Sequence, residues 1–203
     1  VVLRNAESTE ALTLTSNSLT YETTAYRDFD DLVGVVNDAC RTLITAGVAP
    51  ALTRVGLRYI NEVRVREPMS EVRAWSDWIA PGVLGTLSVA PEGVPVRALQ
   101  AAVSFDLGNG GGLQIGYAAV PQGSVVNHRF LKRPPFEPGP FFGMDFDGFC
   151  EFSVDPAKFL DPDLVARVLR GVHGPISEAF QRSLTDNSRS LFRAVPVPGR
   201  HSR

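Results

Sequence analysis

Val55-Gly-Leu-Arg-Tyr-Ile-Asn61, at the centre of the run Leu52 to Val65, decides how this chain folds. Its odd positions, Val55, Leu57, Tyr59, Asn61, Val63 and Val65, are mostly apolar. Its even positions, Arg54, Gly56, Arg58, Ile60, Glu62 and Arg64, are mostly charged. Successive strand side chains point to opposite faces, so this alternation predicts an antiparallel strand with one wet face. Pro68 ends it. Asn61 falls on the inward face, where an unbonded amide costs about 1–3 kcal/mol. It therefore either caps a neighbouring loop or faces a polar cavity. The structural role is the expectation, with Thr185 and Asp186 as its partners.

Outward from this strand, Leu12 to Tyr21 alternates and reads as a strand or a short hairpin turning at Ser16-Asn17. Asp28 is an N-cap, with Asp30 and Asp31 in the first turn of a helix that carries Phe29, Leu32, Val33, Val36, Cys40, Leu43 and Ile44. Gly47 and Pro50 stop it. Ser70 to Ile79 reads as one short helix with Val72, Trp75 and Ile79 on one side. Val96 to Leu107 alternates, with Leu99, Ala101, Val103, Phe105 and Leu107 on one face. Gly108-Asn-Gly-Gly-Gly112 supplies the positive-φ positions of a hairpin, and Leu113, Ile115, Tyr117 and Ala119 mark the returning strand. Phe141 to Phe152 is a third strong strand, with Met144 and Phe146 on one face and Asp145 and Asp147 on the other. The last helix carries Leu164, Val168, Val172, Ile176, Phe180 and Leu191, and Gly174-Pro175 is expected to kink or break it. Residues 194–203 read as a frayed basic tail.

The composition narrows the function classes. In 203 residues, 44% hydrophobic and 21% charged is a globular balance, and a net charge of -2 lacks the basic surplus of a phosphate-backbone binder. Nucleic acid is an unlikely partner on that ground. No apolar run approaches the roughly 18 residues needed to span a bilayer, so no membrane partner is expected. Cys40 and Cys150 are separated and have no histidine nearby, which reads as two thiols of a reduced, cytoplasmic protein. No cofactor motif is present: the glycine run lies between two strands and lacks a phosphate-loop lysine.

Three groups of residues are candidates for function. Asp145 and Asp147, with Glu151, could hold a hard cation through oxygen ligands. Cross-strand pairing with Arg54 or Arg58 would explain the same carboxylates without a metal. Arg58, Tyr59 and Asn61 could supply polar contacts to a small ligand. Trp75 and Trp78, three apart, offer one inward and one outward aromatic for a partner. Arg129, Lys132 and Arg133 interleave with Phe130 and Leu131, suiting either an acidic partner or a solvated loop. His128, His173 and His201 have no metal-ligand spacing, and no local motif marks a catalytic nucleophile.

Two segments resemble a family. Gly56-Leu57-Arg58-Tyr59-Ile60-Asn61 and the phrase Phe180, Ser183, Leu184, Thr185, Asp186 are similar to the paired signatures of a sporadically distributed, largely uncharacterised prokaryotic family. Many of its members carry paired aspartates on a late strand, like Asp145 and Asp147. The resemblance implies a compact α+β domain and no established activity. The family's patchy distribution suits accessory or defence-type roles. Members usually begin with an extra apolar strand, so Val1 to Arg4 is either its remnant or that edge of the sheet is missing.

The expected architecture is one α+β domain over residues 1–193. In it a curved, mostly antiparallel sheet of about six or seven strands packs against the helix near 29–46 and the long C-terminal helix. The leading functional expectation is a non-catalytic binding or assembly protein, acting through a protein partner or as a homo-oligomer. The alternatives are a small-ligand pocket protein, and a metal-dependent hydrolase or nuclease using Asp145 and Asp147.

Overall fold

The structure is a computed structural model and describes residues 1–123, 131–133 and 139–194. Its elements are β1 (Val2–Arg4), β2 (Glu10–Leu14), β3 (Leu19–Thr23), α1 (Phe29–Thr45), β4 (Ala51–Leu52), β5 (Arg54–Arg64), β6 (Leu99–Gly108), β7 (Gly111–Val120), β8 (Phe141–Glu151), β9 (Lys158–Phe159), α2 (Pro162–Ser183) and α3 (Asp186–Ala194). Short 3-10 turns span Val72–Asp77 and Gly85–Val89. The fold is α+β with antiparallel pairing. The strands divide among a four-stranded, a three-stranded and a two-stranded sheet, where the sequence suggested one sheet of six or seven.

The described residues group into two compact units. The first holds residues 1–53, 131–133 and 153–167. In it β2 and β3 pair around Thr15, whose hydroxyl accepts from the Ser18 amide, so the hairpin turns where Ser16-Asn17 predicts. The Asp28 carboxylate accepts the Asp31 amide at 2.8 Å and caps α1, satisfying one of the helix's open donors. Val33 and Cys40 are buried on that helix. Burial pushes the Cys40 thiol pKa up, since the thiolate loses water there.

The second unit holds residues 54–123, 139–152 and 168–194. Its sheet runs in the order β5-β8-β7-β6. Asn109 and Gly110, both at positive φ, close the β6–β7 hairpin with the two-residue turn that matches strand twist. Register places Leu57, Gly148, Leu113 and Phe105 in one row, and Tyr59, Phe146, Ile115 and Val103 in the next. This face carries Val55, Leu57, Val63, Phe142, Met144 and Phe146, all buried. A Cβ on Gly148 would stand 2.8 Å from Ile176 Cδ1 and 3.0 Å from Val172 Cβ. The missing side chain is thus what lets α2 reach the sheet. Phe180 meets Phe146 edge-on at 5.9 Å and Phe192 at 5.3 Å. Trp75 covers Phe142 at 5.7 Å.

Two expectations about helices change. Residues 70–79 form a 3-10 turn instead of an α-helix, although Val72, Trp75 and Ile79 share a buried side as expected. Pro175 lies inside α2 and does not end it. The carbonyl that loses its donor is that of Gly171, which is exposed to water. The break comes instead at Leu184, which leaves the helix to pair with Ile79 as an isolated bridge.

Gly148→Ala should lower the unfolding free energy by about 2 kcal/mol, within the range for an overpacked core. Urea denaturation followed by tryptophan fluorescence measures it. An unchanged midpoint would show that α2 does not depend on this contact.

Candidate functional site

The outer face of the four-stranded sheet gathers the charged residues of β5 and β8. Arg58 Nε donates to Asp145 Oδ1 at 2.8 Å, and its Nη2 donates to Oδ2. Arg54 Nη2 donates to both Asp147 oxygens, at 2.9 and 2.8 Å. Arg54 reaches Asp147 by lying over Gly56, where a Cβ would stand 3.0 Å from its Nη1. The same guanidinium stacks 4.5 Å from the Phe149 ring. That ring fills the space left by Gly112, whose absent Cβ would lie 2.6 Å from Phe149 Cζ. Gly56 therefore leaves room for the Arg54 side chain to cross the sheet face to Asp147.

This pairing corrects the metal reading of Asp145, Asp147 and Glu151. Each aspartate is engaged by a guanidinium, which also raises the Arg58 pKa, chiefly through the Asp145 hydrogen bond. Among the described residues no group of three His, Cys, Asp or Glu side chains could hold a metal ion. Beyond these pairs, Glu62 accepts from Arg64 Nε at 2.8 Å with its side chain only 1% exposed. Arg64 also donates to the carbonyls of Gly139 and Gly123 and stacks 4.5 Å from Phe141. That arrangement ties down the far end of the face.

Period two separates the expected ligand residues. Arg58 is on the outer face, whereas Tyr59 and Asn61 are on the helix-covered face, with Tyr59 6.2 Å from the His173 ring. Arg58, Asp145, Ile60 and Gln100 border an open trough of about 650 Å³ floored by Ala102, Gly116, Ala118 and Gly143. Asn61 is half-buried opposite Met144, and its expected partners are committed elsewhere. The Thr185 hydroxyl donates to the Asp77 carbonyl at 2.7 Å, and Asp186 pairs with Arg189. Ser188 Oγ donates to the Trp78 carbonyl. Ser183 is buried and gives its proton to the Ala179 carbonyl at 2.8 Å, so the Tyr117 hydroxyl donates to Ser183 at 2.9 Å. The C-terminal phrase is thus a clamp that fixes the 3-10 turn and the sheet to the α2–α3 junction.

The proposed partner-binding residues fare differently. Trp75 is 2% exposed and belongs to the core, because its place on the buried side of the turn puts it on Phe142; it is withdrawn as a docking residue. Trp78 is half-buried. Arg129 lies outside the described residues. Lys132 is exposed, but its backbone is pinned: its amide donates to the Ser8 carbonyl at 2.6 Å and its carbonyl accepts from Thr24. Arg133 is half-buried.

The exposed feature that the sequence reading passed over is β6. Leu99, Ala101, Val103, Phe105 and Leu107 share one face as expected, but of these only Leu99 is buried, while Val103, Phe105 and Leu107 are 42%, 49% and 37% exposed. Strand β6 has one neighbour, β7, so its other edge is open among the described residues. The signal for this was the scarcity of charge: Asp106 is the one charged side chain between Leu99 and Gly108.

Neither the models of known families, nor the curated proteins, nor the solved structures contain a match to this chain. No helix among the described residues is long and apolar enough to cross a membrane.

Two outcomes check the site. Arg58→Ala should cost no more than about 1 kcal/mol, because the pair with Asp145 is largely exposed and screened by water; a larger loss in urea denaturation would give that pair an organising role. Burial raises the Tyr117 pKa. The folded state then holds the phenolic proton more tightly than the unfolded chain. Its contribution is complete below the unfolded pKa of about 10 and is lost as pH rises toward the folded value. Tyr117→Phe should therefore lose less stability than the parent between pH 9 and pH 11, and equal slopes would contradict this.

Proposed function

We propose that this chain is a non-catalytic association protein that works through protein–protein contacts at the open edge of β6. The observation that carries the reading is a ten-residue edge strand flanked by exposed Val103 and Phe105. An unpaired edge presents a row of backbone donors and acceptors, and natural proteins usually blunt it with lysine, proline or a covering element. Strand β5, at the opposite edge, carries Arg54, Arg58 and Arg64. Strand β6 has no proline and no basic residue. Pairing there adds main-chain hydrogen bonds and buries the two apolar side chains together, which is how strand addition gains both affinity and register.

A small-ligand reading draws on the trough beside Arg58. Its charged lining groups, Arg58 and Asp145, are bonded to each other, so an ionic ligand would first have to separate them. The association reading needs no such cost and is preferred.

The test places a photo-crosslinking amino acid at Ser104 of the full chain in the cells that produce it, with the same replacement at exposed Gln181 as the control. A discrete protein adduct from position 104, absent at 181 and lost when Val103→Lys is added, is the expected result. An absence of adducts, or adducts that ignore Val103→Lys, would overturn the reading.

A further inference from the structure

We infer that the partner at this edge is a second copy of the chain, joined antiparallel about a two-fold axis through Val103. The inference rests on the association reading above and specifies its occupant. A two-fold axis normal to a sheet passes between a residue and its own copy, so apolar faces meet apolar faces and the question becomes one of register.

With Val103 opposite itself, Ala101 faces Phe105 of the second copy on the apolar side. On the other side Gln100 faces Asp106, and Ala102 faces Ser104. The only charge on the strand thus meets an amide donor, and no like charges oppose each other. Other registers do worse. An axis through Ala101 would set Phe105 against Arg97 and Leu107 against Pro95, both outside the strand. An axis through Phe105 would set Ala101 against Asn109 in the turn, past the irregularity between Asp106 and Gly108. The neighbouring axis through Ser104 leaves the Asp106 carboxylate facing the Ala102 methyl. An axis through Ala102 would also lie within the regular stretch 99–106 but set Asp106 against Ala98; only the Val103 axis gives that carboxylate an amide donor opposite.

On β5 the same operation, with an axis through its centre, Tyr59, sets Arg54 against Arg64 twice. Like charges directly opposite one another destabilise a strand pair. Arg54 and Arg64 are already paired within the chain, however, with Asp147 and Glu62, so the contrast rests on β6 itself, where no like charges meet. Joining β6 to its copy would make one continuous eight-stranded sheet, twice the four strands of each. Val103 and Phe105 would come together at its centre.

Opposed residues in an antiparallel pair have Cα atoms about 4.5–5.5 Å apart, inside the range a disulfide spans. Val103→Cys in the full chain should form a disulfide with its own copy under mild oxidation, identified by peptide mapping that separates it from Cys40 and Cys150. Gln100→Cys alone should not link, but should link when mixed with Asp106→Cys. In sedimentation, the parent's mass should rise with concentration above 22.0 kDa, and Val103→Lys should weaken this at least tenfold. A dimer whose linkage appears at Ser104→Cys but not Val103→Cys would overturn the register and leave the association reading standing. A single-chain mass at every concentration, with the Ser104 adduct made to a different protein, would overturn the second copy alone. A single-chain mass with no adduct would overturn both.

Discussion

The second unit depends on one close approach, that of α2 to Gly148 at the middle of β8. Strand β8 pairs on both edges, with β5 along eleven residues and with β7 along ten, so it is the centre on which the sheet's cover is laid. On the helix side, Phe142, Met144 and Phe146 are within 1% of complete burial, and that seal needs Val172 and Ile176 in contact with the backbone at Gly148. On the other side, among the described residues, cover comes from side chains laid flat. Phe149 lies over Gly112, Arg54 lies over Gly56 and Phe149, and Arg64 lies over Phe141. Glycine on both faces of the same sheet thus serves opposite ends: one admits a helix, the others admit a ring and a guanidinium.

That difference in cover explains where charge sits. Aspartates on an outward face flanked by arginines satisfy each other at little net energetic gain, since exposed pairs rarely contribute more than about 1 kcal/mol. Their value lies in keeping the face wet while the arginine stems and rings shield the backbone. The C-terminal phrase does comparable work on the helix side. Leu184 pairs with Ile79, Thr185 holds Asp77, and Ser183 anchors Tyr117, so a 3-10 turn far away in sequence is locked against the sheet. Residues 56–61 and 180–186 thus both make contacts that hold the fold together.

Much of the fold was legible because it follows from alternation. The β5 pattern, the Asp28 cap, the Asn109-Gly110 turn and the facing of Met144 and Phe146 all rest on local rules that tertiary contacts did not override. What alternation cannot say is which apolar faces find cover. Val103 and Val55 look alike in sequence, yet α2 meets β8 at Gly148, and the cover extends over β5 and β7 but not over Val103 and Phe105 of β6. Pro175 misled for a related reason: its cost depends on whether water can reach the Gly171 carbonyl, and exposure is a property of the folded chain. The site residues divided along the same line. Arg58 and Asp145 were placed on the right face by period two, but that same period separates Arg58 from Tyr59 and Asn61.

An edge strand with this composition is costly to leave bare. Exposed β-branched and aromatic side chains beside the outward-facing backbone groups of an edge strand favour uncontrolled pairing, and a chain with no use for the edge would gain from a single lysine there. The arginines of β5 are no such guard, since each is paired with a carboxylate within the chain. Asp106 alone is too little to block pairing, but it is enough to rank the registers, since it tolerates an amide opposite and rejects its own copy. The irregularity after Asp106 then ends the ladder before it can slide toward the turn. One charge and one bulge together turn an aggregation hazard into an edge with a preferred partner and a preferred alignment.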